Sequence, residues 1–315
     1  MVKAGGDQND SMPQQTMNPS SQSTSTSFPR LGAFFFTYGI EAMAAGIAFF
    51  KKHGLTCAQI GNPLLEELAA SPSRIPEVVR DFRDAGIQII GLAGYRNLVT
   101  PDSAAHKKNL AFLHKCLELA PEFGTAVVAT ETGTRNPNSD WNDSPENASP
   151  QTWKLLEDAI GQLVETAAKN GSILALEGYV NNVLARLDQI DTLFRVFPSP
   201  RLALMLDPYN YISRDLVPVA DVLCEEFLRR YADRFVIAHL KDVAPLGAGG
   251  NSDAAEARAD LIGTPEFCTG IFPQQYYMRF LRDRRPDLPI ILEHLPDEHV
   301  PAALLRFRSL VGHAA

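Results

Sequence analysis

Cysteine is scarce and scattered in this chain. Its 315 residues include four, Cys57, Cys116, Cys224 and Cys268, with no C-x-x-C pair. That excludes a zinc knuckle or a disulfide framework and fits a reducing compartment. Positive charge is also in short supply: 29 Lys and Arg face 37 Asp and Glu, for a net charge of −8. A nucleic-acid surface needs clustered basic side chains, so a small-molecule partner is expected instead. Long apolar runs are missing too. None approaches the ~18 residues of a membrane span, and the N-terminus lacks a basic segment followed by an apolar one. The sequence reads as a soluble cytoplasmic protein, and a homo-oligomer is compatible with that reading.

Residues 1–28 are rich in Ser, Gln, Asn, Thr and Pro, offer almost nothing to bury, and are expected to be a disordered extension. From Leu31 onward short apolar runs alternate with amphipathic segments, the pattern of βα units on a parallel sheet. The runs are Leu31–Phe36, Thr56–Ile60, Ile87–Gly91, Ala126–Thr130, Ile173–Glu177, Leu202–Asp207, Phe235–His239 and Pro289–Glu293. Helices are expected over Glu41–His53, Pro63–Asp84, Ser103–Leu119, Gln151–Asn170, Leu187–Phe197, Ala220–Ala232, Gln274–Arg284 and Pro301–Leu310. In Gln151–Asn170 the residues Trp153, Leu156, Ile160, Leu163 and Ala167 form one apolar stripe, with Pro150 before it and Gly171 after it as start and stop signals.

Eight such units close either as a barrel or as a doubly wound sheet. The first expected strand is not followed by G-x-G-x-x-G, and the only similar stretch, Gly247–Ser252, comes late and lacks the third Gly. The expected fold is therefore α/β: a single (β/α)8 TIM barrel over residues 29–315, within the usual size of that domain. Two long connections, Arg135–Pro150 and Asp242–Pro273, should emerge on the C-terminal face, where such barrels build their sites.

Four metal-competent side chains end consecutive expected strands: Glu177, Asp207, His239 and Glu293. Their spacings are 30, 32 and 54 residues, against roughly 30 per βα unit. A carboxylate ending a buried strand often caps the next helix, but three carboxylates among four consecutive strand ends, after apolar runs, would repel one another unless a cation joined them. Three carboxylates and one imidazole suit Mn²⁺, Mg²⁺ or Co²⁺, Mn²⁺ foremost, with Zn²⁺ remaining open.

At these positions the chain resembles the xylose isomerase-like barrel superfamily, specifically its sugar phosphate isomerase/epimerase group. The phrases that carry the resemblance are Leu-Ala-Leu-Glu177, Met-Leu-Asp207-Pro-Tyr-Asn, His239-Leu-Lys-Asp242 and Ile-Leu-Glu293-His. Thr130-Glu131-Thr-Gly-Thr-Arg135, followed by a loop carrying Trp141, looks like a subset of the group. The resemblance spans about Leu31 to Leu310 and implies a metal held by Glu177, Asp207, His239 and Glu293, with Glu177 and Glu293 doubling as acid and base. The implied activity is isomerisation or epimerisation of a sugar or related polyhydroxy carbonyl compound through an enediolate. A lyase on the same scaffold, a dehydratase or keto-glycoside eliminase, is the alternative. One departure favours it: many relatives carry His three residues after the Asp, and here Asn210 stands there, which cannot shuttle a proton at neutral pH. The superfamily's DNA-repair endonucleases need many His ligands and a basic channel, which this sequence lacks.

Around the four, Lys241 is a candidate to neutralise a substrate oxyanion, and Asp242 to orient His239 through its second ring nitrogen. Glu131 and Asn210 are candidates for binding substrate hydroxyls. Tyr38, Tyr95, Trp141 and Tyr209 fall in expected strand-to-helix loops where aromatic faces pack on sugar rings. His294 should point away from Glu293, because successive strand residues face opposite sides.

Overall fold

A computed structural model of the chain describes residues 30–36, 38–245, 262–263, 265–293 and 295–312. The expected N-terminal extension, the Gly247–Ser252 stretch and His294 lie outside the described residues. Eight strands close into a parallel barrel: β1 (Leu31–Phe35), β2 (Cys57–Ile60), β3 (Gln88–Ala93), β4 (Val127–Glu131), β5 (Ile173–Glu177), β6 (Leu202–Leu206), β7 (Phe235–Leu240) and β10 (Ile290–Leu292). Around the ring β10 lies between β1 and β7, and the others follow in chain order. The short strands β8 (Ala244–Pro245) and β9 (Ile262–Gly263) pair antiparallel within the long connection after β7.

Helices α1 (Met43–His53), α2 (Leu64–Ala70), α3 (Ile75–Asp84), α4 (Ser103–Leu119), α5 (Pro150–Asn170), α6 (Leu187–Val196), α7 (Ala220–Arg230), α8 (Gln274–Asp283) and α9 (Val300–Gly312) accompany the strands. Helix α5 shows why the sequence folds this way. Its N-cap Ser149 accepts a hydrogen bond from the Thr152 amide, Pro150 occupies the first turn, and Gly171 ends it in the left-handed region at φ 72°. Leu156, Ile160, Leu163 and Ala167 are buried as the stripe requires, while Trp153 is half-buried and donates from Nε1 to Glu157 Oε1 at 2.7 Å. The helix expected over Pro63–Asp84 is instead two, α2 and α3, separated by a 3₁₀ turn at Pro72–Arg74. Pro72 and Pro76 lack the amide hydrogens that a continuous helix would need there.

Side chains alternate along each strand, and this alternation sorts the core into two parts. One set fills the space between barrel and helices. The other fills the barrel itself: Cys57, Ile90, Ala129, Ala175, Ala203, Met205, Ile237 and Ile291. The wall closes tightly at Gly32 of β1, where an added Cβ would lie 1.8 Å from the Cys57 carbonyl oxygen.

Candidate metal centre

Counting two residues onward from the interior apolar layer places every group of the candidate centre. Ala129 leads to Glu131, Ala175 to Glu177, Met205 to Asp207, Ile237 to His239 and then Lys241, Ile291 to Glu293, and Cys57 to Gln59. All seven are buried. Asp207, Lys241 and Glu293 sit one residue beyond their strands, yet the Glu293 amide still donates to the Leu240 carbonyl at 3.0 Å. The strand-like path thus continues to the charged residue.

Glu177, Asp207, His239 and Glu293 each offer one ligand atom, and the four atoms lie within 4.8 Å of one another. Nδ1 of His239 faces all three carboxylates, 3.4 Å from Glu177 Oε2, 3.4 Å from Asp207 Oδ2 and 3.2 Å from Glu293 Oε2. The Lys241 ammonium lies 2.6 Å from Asp207 Oδ2 and 2.7 Å from Glu293 Oε2. Only 2% of its side chain is exposed, so this is a buried ion pair and not a surface contact within the loop.

These groups polarise one another strongly. Burial raises the Glu177 carboxyl above its ordinary range, and the neighbouring Asp207 and Glu293 charges add to this against the opposing pull of His239. Burial and the Glu177 charge raise Glu131 well above its ordinary value. At Asp207 burial is outweighed by the Lys241 ammonium and the His239 hydrogen bond, and its carboxyl is lowered. Burial would lower His239, but Glu293 and Glu177 overcome it and raise the imidazole well above its usual value. With the chain's own charges alone, the centre favours extra positive charge. A bound cation fits a further feature: Oδ1 of Asp207 is buried with no hydrogen-bond partner among the described residues. The donor set, three carboxylates and one imidazole, is one that divalent ions accept.

The remaining sequence candidates divide. Asn210 joins the centre, its Nδ2 donating to Glu177 Oε1 at 2.6 Å and lying 3.2 Å from Asp207 Oδ2. The Tyr95 hydroxyl donates to Glu177 Oε2. Glu131 pairs in register with Glu177 across β4 and β5. Trp141 stays in the 132–149 loop, 41% exposed. Tyr209 is core and not wall: fully buried, it donates to Gln274 Oε1 at 2.9 Å. Tyr38 bonds to Asp297 instead of facing the centre.

Asp242 does not orient His239. Its Oδ1 accepts from the amides of Val243 and Phe272 at 2.8 and 3.1 Å, and its Oδ2 from Gly270 at 3.0 Å. As the residue after Lys241 it faces the opposite side of the strand path, where it ties the β7–α8 connection to the barrel rim. The second ring nitrogen of His239 meets Gln59 Oε1 at 3.0 Å. Two groups on α8 were also not anticipated. Gln274 Nε2 donates to the Lys241 carbonyl at 2.8 Å, and the Tyr277 hydroxyl lies 2.9 and 2.8 Å from the Leu206 and His239 carbonyls. They pin the backbone that carries Asp207, His239 and Lys241.

Fold and centre together define a (β/α)8 barrel with a metal-competent cluster at the C-terminal ends of its strands. The profile of the family described as xylose isomerase-like TIM barrel matches residues 47–310, and the chain belongs to that family. No curated protein sequence matches it significantly. Among solved structures, a xylose isomerase-like TIM barrel protein from Mycobacterium smegmatis in complex with magnesium is 18% identical with a TM-score of 0.66, covering 92% of this chain and 98% of that one. The 3-keto-D-glucoside 4-epimerase from E. coli is 16% identical with a TM-score of 0.65, covering 89% and 99%. A probable 3-DHS dehydratase from Bacillus anthracis is 15% identical with a TM-score of 0.65, covering 88% and 98%. At these identities the likeness is one of fold. Among the described residues, no helix is long and apolar enough to cross a membrane.

Proposed function

We propose that this protein is a divalent-metal-dependent isomerase or epimerase acting on a sugar or related polyhydroxy carbonyl compound. The observation that carries the reading is the convergence of Glu177, Asp207, His239 and Glu293 around Nδ1 of the histidine. A divalent ion held by these four supplies Lewis-acid stabilisation to negative charge developing on substrate oxygens. Mn²⁺ is the ion we favour.

The chain's own residues then handle the proton. Glu177, one of the two carboxylates that reach the centre from opposite flanks, takes a proton from a carbon beside the substrate carbonyl, giving an enediolate. Glu293 comes from β10, across β7 and β6 from β5, and so approaches the substrate from the opposite flank. Removal on one face and return on the other inverts a carbon centre. Lys241, Glu131, Asn210, Tyr95 and Trp141 are assigned to binding and orienting hydroxyl and carbonyl oxygens.

Asn210 supports a second reading. Its amide grips Glu177 Oε1 but transfers no proton, which suits a lyase that removes the same proton and then expels a β-leaving group. Both readings are tested by incubating keto sugars with Mn²⁺-loaded protein in D₂O. Deuterium at the carbon beside the carbonyl, detected by mass spectrometry with no enone absorbance, supports isomerisation or epimerisation, and an enone absorbance supports the lyase. Solvent exchange that persists unchanged in Glu177→Gln and Glu293→Gln would remove the catalytic assignment.

A further inference from the structure

The amide of Gln59 reaches a candidate ligand from a distant strand of the barrel. β2, which carries it, is separated from β7 by β1 and β10. Its side chain is fully buried, and Oε1 lies 3.0 Å from His239 Nε2, while the ring of Phe34 packs 5.3 Å from the imidazole between centroids. Packing alone would call for an apolar residue in this strand, and the position is polar. Nε2 of Gln59 has no partner among the described residues, so the contact with His239 is the hydrogen bond that its buried amide makes.

We propose that Gln59 is a positioning residue for His239: by accepting from Nε2–H it keeps Nδ1 turned toward the three carboxylates, so that a divalent ion displacing the Nδ1 proton meets the lone pair there. This rests on the metal-centre reading above. With the amide reversed, its NH₂ would donate to Nε2 and leave the hydrogen on Nδ1, aimed into the ligand cluster, where it would block coordination. A carboxylate at position 59 would hold the same tautomer but would add a fifth acidic group beside Glu131, Glu177, Asp207 and Glu293. An amide orients the ring without that charge.

The test uses the full chain with ¹⁵N-labelled histidine and the diamagnetic ion Zn²⁺, comparing wild type, Gln59→Met, Gln59→Glu and His239→Ala, with folding followed by circular dichroism. In the Zn²⁺-loaded wild type, long-range ¹H–¹⁵N correlation should show His239 protonated at Nε2. Titration calorimetry should show Gln59→Met binding Zn²⁺ about 10–100-fold more weakly, and Gln59→Glu, which restores an acceptor, binding at least as tightly as wild type. Equal affinity of wild type and Gln59→Met, weak binding by both Gln59 variants, or a hydrogen on Nδ1 overturns the positioning role. If wild type takes up no Zn²⁺, or no more than His239→Ala, the metal-centre reading itself fails and this inference falls with it.

Discussion

The hydroxyl of Tyr95 donates to Oε2 of Glu177 across 2.6 Å, and that same oxygen faces Nδ1 of His239. The hydrogen bond favours the ionised carboxylate against the burial that opposes it. Tyr95→Phe should therefore raise the Glu177 carboxyl further and move the midpoint of metal uptake to higher pH. A hydrogen bond to a charged group contributes about 1.5–3 kcal/mol, and a shift of one pH unit corresponds to ~1.4 kcal/mol. Metal titrations across the acid range should thus show a displacement of about one unit or more. An unchanged midpoint would mean that the hydroxyl does not tune this ligand.

Metal loading should release protons. Glu177 and His239 both hold protons at higher pH than their ordinary values, the first mainly through burial and the second through the carboxylates around it. Each must be deprotonated to ligate, so affinity should rise with pH and fall on acidification, beginning above the range of an ordinary glutamate. Calorimetric titration in buffers of different ionisation enthalpy measures the protons released. No dependence on the buffer would contradict the titration directions.

Lys241→Met should destabilise the metal-free protein. It removes the ammonium that bridges Asp207 and Glu293 and leaves three buried carboxylates facing one another. Losing one partner of a buried pair costs about 3–5 kcal/mol. A bound divalent ion should restore part of this, so the stabilisation by Mn²⁺ in urea unfolding should be larger in the variant than in wild type. A variant as stable as wild type without metal would show that Lys241 is not the resident counter-charge.

The thiols should be inert in the folded protein. Burial pushes Cys57, Cys116, Cys224 and Cys268 up to about 12, so the thiolate fraction at pH 8 is on the order of 10⁻⁴. Reaction with a disulfide reagent should be slow in buffer and should reach four equivalents in denaturant. Rapid native labelling of the buried Cys57, Cys116 or Cys224 would reveal an opening that the packing does not suggest.

Much of this was legible in the sequence where a single period governs the residues. β5 spans Ile173–Glu177 and α4 spans Ser103–Leu119, as the patterns indicate. The same period of two that turns Glu177 and His239 inward also turns Lys241 inward, which makes it part of the centre. It turns Asp242 outward, so the sequence neighbour of Lys241 could not serve His239. Gln59 was visible only as a polar residue in an apolar strand, because its partner lies 180 positions away in the chain. The division between α2 and α3 was marked by Pro72 and Pro76, which the amphipathic pattern overrode. Tyr209 looked like a loop aromatic, and its burial depends on α8 packing over it through Gln274 and Tyr277.

The most direct measurement is an anomalous difference map from crystals grown with Mn²⁺. It should show one strong peak at the C-terminal ends of β5, β6, β7 and β10, bonded to Nδ1 of His239 and to oxygens of Glu177, Asp207 and Glu293 at about 2.0–2.3 Å. A map with no peak among these four side chains, or with the ion held elsewhere, would contradict the account.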